Sequence, residues 1–469
     1  MSPKTPTVVI IGGGVAGLAT AFLLRELGRE ANHEVALQVF EALPEAGGST
    51  RTDLSNDFTC EWGPNGFLDN EPATLELVER LGLTSELVKA DRSASRRFVY
   101  YSGKMRQLPT GPLSFLSSDI LSLWAKLRIA GEIFIPAKRD DKDETVYSFG
   151  RRRLGKKFAD YLLDPMVSGI FAGNTRELSL PAVFPKMAEM EKQYGSLFKA
   201  LLAKRKEARK TGRKSGGPAG ANATLHTFRE GMGELTWTLA KNLAGDLHTS
   251  SPVLAVERQN DGFVVHLEGR EVSADAVVLA CPSFAAADLI SGLSQQVGVQ
   301  LSLIRHAPVD VVCHGHSAED VPHDLNGFGV LIPRSEGIRS LGSLWCNSIF
   351  PGQAPEEYVL LRTLIGGAHD LDVEDLTDEE LEMVARKDHD QLYGLRKAPA
   401  FSRVFRHPRG IAQYTLGHLD RVAASEQLED ELPGLYFTGA SYRGVSVNGC
   451  AKDAFRTARR FWQFWRNKS

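Results

Sequence analysis

The sequence predicts an α/β fold: a parallel-sheet domain, an α+β lobe with a sheet of its own, and a small helical lobe. Three observations predict it. An apolar, β-branched run near the start breaks into glycines and then a helix; strand-like runs recur from 253 to 364; and the stretch from 113 to 173 spaces its apolar residues as helices do.

Thr7 to Ile11 (TVVII) has the pattern of a strand buried on both faces of a parallel sheet, and it stops at Gly12-Gly13-Gly14. From Val15, the residues Leu18, Ala19, Phe22, Leu23 and Leu27 recur at helical spacing and stop at Gly28, which reads as a helix C-terminus. Glu34 to Phe40 (EVALQVF) is then the second strand of a βαβ unit, ending on Glu41. Leu113 to Ile135 places Leu116, Ile120, Leu123, Trp124, Leu127 and Phe134 at helical intervals, interrupted by Asp119, Lys126, Arg128 and Glu132. One or two amphipathic helices fit. Arg151 to Gly173 continues in helical style, while Lys204 to Gly220, basic and glycine-rich, reads as a solvated loop.

Val253 to Pro282 holds short alternating runs punctuated by Asp261-Gly262 and Gly269, so it reads as hairpins ending in the buried strand ADAVVLACP. Leu301 to Leu364 adds VDVVCHGH, GFGVLIP and YVLLRTLIGG, and Asp375 to Leu392 is a charged amphipathic helix. Gly434 to Gly439 (GLYFTG) is another buried strand, followed by a helix from about Gly449. The expected division is 1–90, 225–290 and 430–469 for the parallel-sheet domain, 91–108, 170–224 and 291–429 for the second lobe, and 109–169 for the helical lobe.

A chain of 469 residues, 42% hydrophobic and 24% charged, has the composition of a globular protein of several lobes. Its net charge of -3 leaves no whole-molecule field to gather nucleic acid, so no nucleic-acid partner is expected. Five separated cysteines without a C-x-x-C pair predict free thiols in a reducing compartment. Met1 to Thr7 lacks the marks of a signal peptide, and no window suits a membrane span, so the expected location is cytoplasmic.

The strongest chemical signal is Gly12-x-Gly14-x-x-Gly17 between strand and helix, with Glu41 closing the next strand. Glycines there allow a tight turn and close approach of a pyrophosphate, the helix N-terminus offers amide donors, and an acidic residue takes ribose hydroxyls. A dinucleotide is expected, and Glu41 argues against a 2′-phosphate. Ala46 to Thr52 then supplies a glycine doublet with Arg51 beside it, and Glu61 to Gly66 (EWGPNG) a glycine-proline loop. Such loops can hold a pyrophosphate from its far side and lie against a planar ring, for which a nicotinamide dehydrogenase has no need. His314 and His316 sit two apart on a strand, facing one side; with no third ligand in view they read as strand histidines, and no metal is expected.

The segments VVIIGGGVAGLATA, GGSTRT, EWGPNGF, ADAVVLACP and GLYFTGAS resemble the flavoproteins of the glutathione-reductase and amine-oxidase lineage. SFGRRRLG (148–155), SGIFAGNTRELSLPAVFP (168–185), GFGVLIP (327–333), IAQYTLGHLDR (411–421) and GASYRGVSVNGC (439–450) narrow the resemblance to the oxygen-dependent porphyrinogen oxidases of haem biosynthesis. The resemblance implies a Rossmann-like FAD-binding domain with noncovalent FAD. It implies six-electron oxidation of protoporphyrinogen IX or coproporphyrinogen III to the porphyrin, with O2 reduced to H2O2. The flavin carries the chemistry, so no catalytic side chain is required.

By the same resemblance, FAD contacts fall on Gly12, Gly13, Gly14, Val15, Ala16, Gly17, Glu41, Ala42, Ser49, Gly63, Pro64, Asn65, Gly66, Val253, Leu419, Val445, Ser446 and Val447. Some relatives carry tryptophan at the positions of Ser49 and Leu419, and arginine at that of Asn65. Arg97 corresponds to an arginine that pairs with a substrate propionate, Phe328 and Leu331 to a pair that sandwiches the macrocycle, and Gly169 to a close approach of ring and backbone; Asn65 is the other substrate contact. The 109–169 lobe corresponds to a membrane-docking lobe, so a peripheral membrane contact is expected there. The oligomeric state stays open, a homodimer being one option. Two rival readings are an amine oxidase or desaturase of the same lineage, for which Tyr442 is the one visible member of an aromatic box, and a dinucleotide-binding protein without turnover.

Overall fold

The computed structural model describes residues 5–211 and 223–468. Five strands form a parallel sheet in the order Leu247–His248, Ala36–Phe40, Thr7–Ile11, Ala276–Leu279, Leu435–Phe437. Thr7–Ile11 is paired on both sides, and the two-residue period of a strand sends Val8 and Ile10 to one face and Val9 and Ile11 to the other. Val8 and Ile10 pack with helices Val15–Glu30 and Val447–Lys468. Val9 and Ile11 pack with the antiparallel strands Val253–Gln259, Gly262–Leu267 and Arg270–Ala274. Both faces are covered, which is why this strand is apolar without alternation.

The first helix does not end at Gly28 but continues to Glu30. A Cβ at residue 28 would stand 2.6 Å from the Trp462 ring, so this glycine permits close helix packing where the sequence suggested a cap.

The second sheet has seven strands in the order Phe401–Phe405, Val309–Ser317, Tyr358–Gly366, Ser340–Trp345, Gly329–Leu331, Phe98–Tyr101, Lys104–Gln107. Only the Gly329–Leu331 and Phe98–Tyr101 pair is parallel. Directly opposed residues share a face, so Cys313, Arg362 and Leu344 point one way, and Cys313 packs there on Phe58 and Cys60. Val312 and Ile365 point the other way, against Leu381 and Ala385 of helix Asp378–Tyr393. That helix opens with a Thr377–Glu380 capping box and closes at Gly394, whose φ of +72° suits glycine.

The 109–169 stretch contains helices Pro112–Ser117, Leu123–Ala130, Val146–Leu154 and Asp164–Phe171. Ile120 and Ile129 turn inward and pack with Val99. Glu132 differs from its expected place among outward charges: it is fully buried, ion-paired with buried Arg153, and accepts hydrogen bonds from the Ser196 hydroxyl (2.6 Å) and the Leu197 N–H (3.0 Å). A buried carboxylate is tolerable only with such partners. Leu113, Leu116, Leu123, Trp124, Leu127 and Phe134 are exposed, by 54 to 85%. Lys204 to Thr211, expected as loop, continues helix Leu197–Thr211, because Lys, Arg, Glu and Ala are good helix formers. The remainder of that expected loop, 212 to 220, lies outside the described residues. Among the described residues no helix is long and apolar enough to cross a membrane.

Candidate active site

The glycines of the first turn have unlike duties. A Cβ at residue 17 would stand 1.9 Å from the Gly12 carbonyl oxygen, and one at residue 12, where φ is +112°, would stand 2.9 Å from the Ala280 backbone. At residue 14 nothing lies within 4 Å of an added Cβ. Gly12 and Gly17 are needed by the fold, whereas the space at Gly14 is open, as a phosphate approaching the backbone requires. The helix begins at Val15 and Ala16, so its free N–H groups point at that space.

Glu41 closes its strand beside this turn. Its Oε2 accepts from the Gly13 N–H (2.6 Å) and its Oε1 from the Leu43 N–H (2.9 Å), which fixes the carboxylate with Ala42 exposed next to it. The Ser250 and Ser251 N–H groups donate to the Leu43 and Glu41 carbonyls, which brings the approach to Val253 alongside. The second glycine motif docks on the first: Gly47 N–H donates to the Gly13 carbonyl at 2.7 Å, and a Cβ at Gly48 would stand 3.3 Å from Gly14 Cα. Gly47 and Gly48 both hold positive φ, +121° and +59°. The Arg51 guanidinium lies 3.7 Å over the Trp62 ring and pairs with Glu45 at 3.0 Å.

Ser49 meets the glycine-proline loop, because a Cβ at Gly63 would stand 2.3 Å from the Ser49 carbonyl oxygen. Beyond Pro64, the Asn65 amide nitrogen and oxygen are both buried without a hydrogen-bond partner among the described residues, and Gly66 packs against the His226 carbonyl. Buried amides in proteins are nearly always paired, so Asn65 is arranged for a group from outside the chain. The C-terminal elements join here. A Cβ at Gly439 would be 3.3 Å from Ala16 Cβ, and Val447 packs with Val15 and Ala16. Tyr414 donates to the Ala440 carbonyl (2.7 Å), accepts from the Gly444 N–H (2.8 Å) and stacks on His418 at 3.8 Å. This docks Leu419, half exposed in the first helical turn, against the segment that carries Val445 and Ser446. A turn with open space at Gly14, a fixed carboxylate at the end of the next strand and an orphaned amide together fit an FAD.

The predicted substrate residues come together in two pairs. The Arg97 guanidinium stands 5.0 Å over the Phe328 ring, and the Phe328 N–H donates to the Arg96 carbonyl. A Cβ at Gly169, in helix Asp164–Phe171, would meet Leu331 Cδ2 at 2.6 Å. Strand Gly329–Leu331 thus joins the two pairs, with Phe328 just before its first residue and Leu331 as its last. Solvent reaches the Arg97 side chain, yet desolvation by its surroundings lowers its pKa, and it has no carboxylate partner among the described residues. Tyr442, the candidate for an amine box, is buried against Phe437 in the core behind the parallel sheet.

Two buried charged residues beside the candidate site escaped the sequence reading. Arg362 is buried and donates from Nε to the Glu61 carbonyl (2.9 Å) and from Nη2 to the Gly63 carbonyl (2.5 Å), strapping the glycine-proline loop to the second sheet. The signal was a lone charge inside the apolar strand YVLLRTLIGG. Glu61, also buried, accepts from the Met232 N–H (2.7 Å) and the Thr52 hydroxyl (2.8 Å), and burial pushes its carboxyl up to about 7. The five cysteines are free.

The sequence profile described as flavin containing amine oxidoreductase matches residues 15–461. The protoporphyrinogen oxidase of Bos taurus is 32% identical, over 97% of this chain and 98% of its own. The coproporphyrinogen III oxidase of Bacillus subtilis is 29% identical over 96% of each chain. A solved structure assigned as a protoporphyrinogen oxidase from Exiguobacterium superposes with a TM-score of 0.83 at 23% identity, covering 98% of this chain and 99% of that one, which shows a shared fold.

Proposed function

Because the chain belongs to the flavin containing amine oxidoreductase family, and within it to the porphyrinogen oxidases, we propose that it oxidises a porphyrinogen to the porphyrin, taking protoporphyrinogen IX or coproporphyrinogen III. FAD, when bound, supplies two-electron oxidation, used three times for the six electrons that separate the two macrocycles. Six protons leave with them, and three O2 accept both as three H2O2.

The observation that carries the substrate class is Arg97, a guanidinium that solvent reaches, without a carboxylate partner among the described residues and set over an aromatic ring. An apolar macrocycle of pyrrole rings edged with propionates satisfies both features. Phe328 and Leu331 hold its faces, Gly169 admits its edge, and Asn65 offers amide donors and acceptors near the loop that Arg362 anchors. On the cofactor side, Gly12 to Gly17 receive the pyrophosphate, Glu41 the ribose, and Ala42, Ser49, Gly63 to Gly66, Val253, Leu419 and Val445 to Val447 line the remainder. An aerobic assay should give porphyrin fluorescence and about three H2O2 per porphyrin with one of the two porphyrinogens. Fluorescence from neither would overturn the assignment.

The exposed Leu113, Leu116, Leu123, Trp124, Leu127 and Phe134 suit a peripheral contact with a membrane. Lys126 leaves that face, its ammonium donating to the Leu116 and Ser118 carbonyls (both 2.6 Å). The free thiols fit a cytoplasmic setting. Replacing Leu116 and Leu123 with Glu should abolish flotation with liposomes while flavin content stays constant; unchanged flotation would place any attachment elsewhere.

A further inference from the structure

We propose that His314, His316 and His389 form a metal site for a zinc-class divalent cation, placed on the back of the seven-stranded sheet. His314 and His316 alternate on strand Val309–Ser317, whose pairing with Tyr358–Gly366 and Phe401–Phe405 fixes both side chains on the face covered by helix Asp378–Tyr393. His389 comes from that helix. One ligand atom from each ring lies within 4.8 Å of the others, and the ring centroids form a triangle with sides of 5.9, 5.3 and 6.0 Å. The sequence displays the strand pair; only the fold brings the third imidazole.

Burial makes this cluster unusual. His314, His316 and His389 are 0, 2 and 1% exposed, and neither nitrogen of His314, neither nitrogen of His316, nor Nδ1 of His389 has a hydrogen-bond partner among the described residues. Buried polar atoms without partners are rare in folded proteins, and a cation would satisfy one nitrogen from each of the three rings together. His389 Nε2 lies 2.8 Å from the Thr363 hydroxyl, which itself donates to Ser343 at 3.2 Å. Thr363 therefore accepts the Nε2–H, which leaves the lone pair of the unpartnered Nδ1 available to a cation. A metal-bound imidazole is oriented by its second nitrogen in this way.

The donor set selects the metal. Three imidazoles and no carboxylate favour zinc and its borderline-soft neighbours over calcium or magnesium, which need oxygen ligands. Neutral rings are required, and burial keeps all three low, His314 at about 3 and His316 at about 4. Zinc holds imidazole nitrogens at ~2.0–2.1 Å, so ligand atoms spread over 4.8 Å must close by about an ångström through side-chain rotation. A water or hydroxide completes the tetrahedron. Asp388, next in sequence, is occupied with the Ser340 N–H and hydroxyl and is not a ligand. The front of the same sheet carries Arg362 and Leu331, so the ion would pin the covering helix behind the substrate surface and take no part in electron transfer.

The holoenzyme, stripped with chelator and reloaded with zinc, should hold about one zinc per flavin and melt several degrees higher than the stripped protein. His389→Ala and His316→Ala should lose the zinc and the melting shift while retaining flavin. Should these variants fail to fold, cobalt(II) loaded into the unaltered holoenzyme should give the intense visible bands of a four-coordinate nitrogen site, at wavelengths beyond the flavin. Absence of bound zinc together with an unchanged melt and no cobalt bands would overturn the site, as would full zinc retention in both variants.

Discussion

The two ends of the candidate active site are held by different materials. At the cofactor end the close approaches are backbone on backbone: Gly17 against the Gly12 carbonyl, Gly12 against Ala280, Gly63 against the Ser49 carbonyl. At the substrate end each involves a movable side chain: Arg97 over Phe328, and Leu331 against the Gly169 backbone. Backbone in a packed core has nowhere to go, whereas a leucine methyl or a guanidinium can rotate away. Substitutions at the cofactor end should therefore be all-or-none, and those at the substrate end graded.

The sharpest way to break this contrast lies within one motif. Gly17→Ala puts a Cβ 1.9 Å from a carbonyl oxygen, so the first turn of the helix cannot form and the protein should fail to accumulate in folded form. At Gly14→Asp the added Cβ meets no described atom within 4 Å, so the variant should yield a folded apoprotein that binds no FAD, its carboxylate entering the pyrophosphate's space and opposing its charge. Flavin absorbance and circular dichroism on the purified variants check both. A yellow Gly14→Asp protein would remove this glycine from the cofactor site.

Glu61 joins the two ends, because Arg362 of the second sheet binds its carbonyl and that of Gly63. Burial raises the Glu61 carboxyl from an ordinary 4.5 to about 7, so folding favours the protonated form. The resulting destabilisation is absent below 4.5, grows as pH rises, and is complete above 7, at about 3 kcal/mol. Glu61→Gln has no proton to lose, and the Thr52 hydroxyl can turn to accept from the new amide. Relative to the parent, the variant should gain stability between pH 5 and pH 8 in denaturant melts followed by flavin fluorescence. Curves that stay parallel across that range would show that Glu61 does not titrate there.

Arg97 is the graded case. Its contact with a propionate would be made equally before and during reaction, so Arg97→Ala should raise KM and leave kcat nearly unchanged. Loss of a charged hydrogen bond of roughly 1.5–3 kcal/mol predicts a rise of about ten- to two-hundredfold, with flavin content untouched. A fall in kcat alone would move Arg97 from substrate binding to the support of Phe328.

What could be read from the sequence follows the same division. Gly12 to Gly17 lie within one turn between a strand and a helix, so local spacing alone revealed strand, turn and helix. Arg97, Gly169, Phe328 and Leu331 are scattered across the chain, and no periodicity connects them; only resemblance to a family did. Gly28 was misread because a glycine near the end of a helical pattern suits a cap as well as it suits contact with Trp462, and the partner lies at the other end of the chain. Glu132 was misread for a similar reason: its charge predicted water, and the compensating Arg153 and Ser196 are supplied by tertiary structure. The third histidine was invisible for want of any local signal, since His389 sits in a charged helix that periodicity describes correctly but cannot dock.

The smallest expected effect separates packing from recognition at the substrate end. Gly169 has a helical environment and no positive φ, so Ala there should raise helix propensity by about 1 kcal/mol. Its Cβ would meet only the Leu331 Cδ2 methyl, at 2.6 Å, and that methyl can swing aside at a cost of about 0.5–1.5 kcal/mol. The two contributions nearly cancel in stability, so the melting temperature should move little. They do not cancel in binding, because the displaced methyl enters the space proposed for the macrocycle, and KM should rise about two- to tenfold with flavin retained. Leu331→Val removes the colliding Cδ2, so Gly169→Ala in that background should have a smaller effect on KM than in the parent, a coupling that a double-mutant cycle measures. Additive effects on KM would mean that Gly169 and Leu331 act separately, and that the sandwich does not depend on their contact.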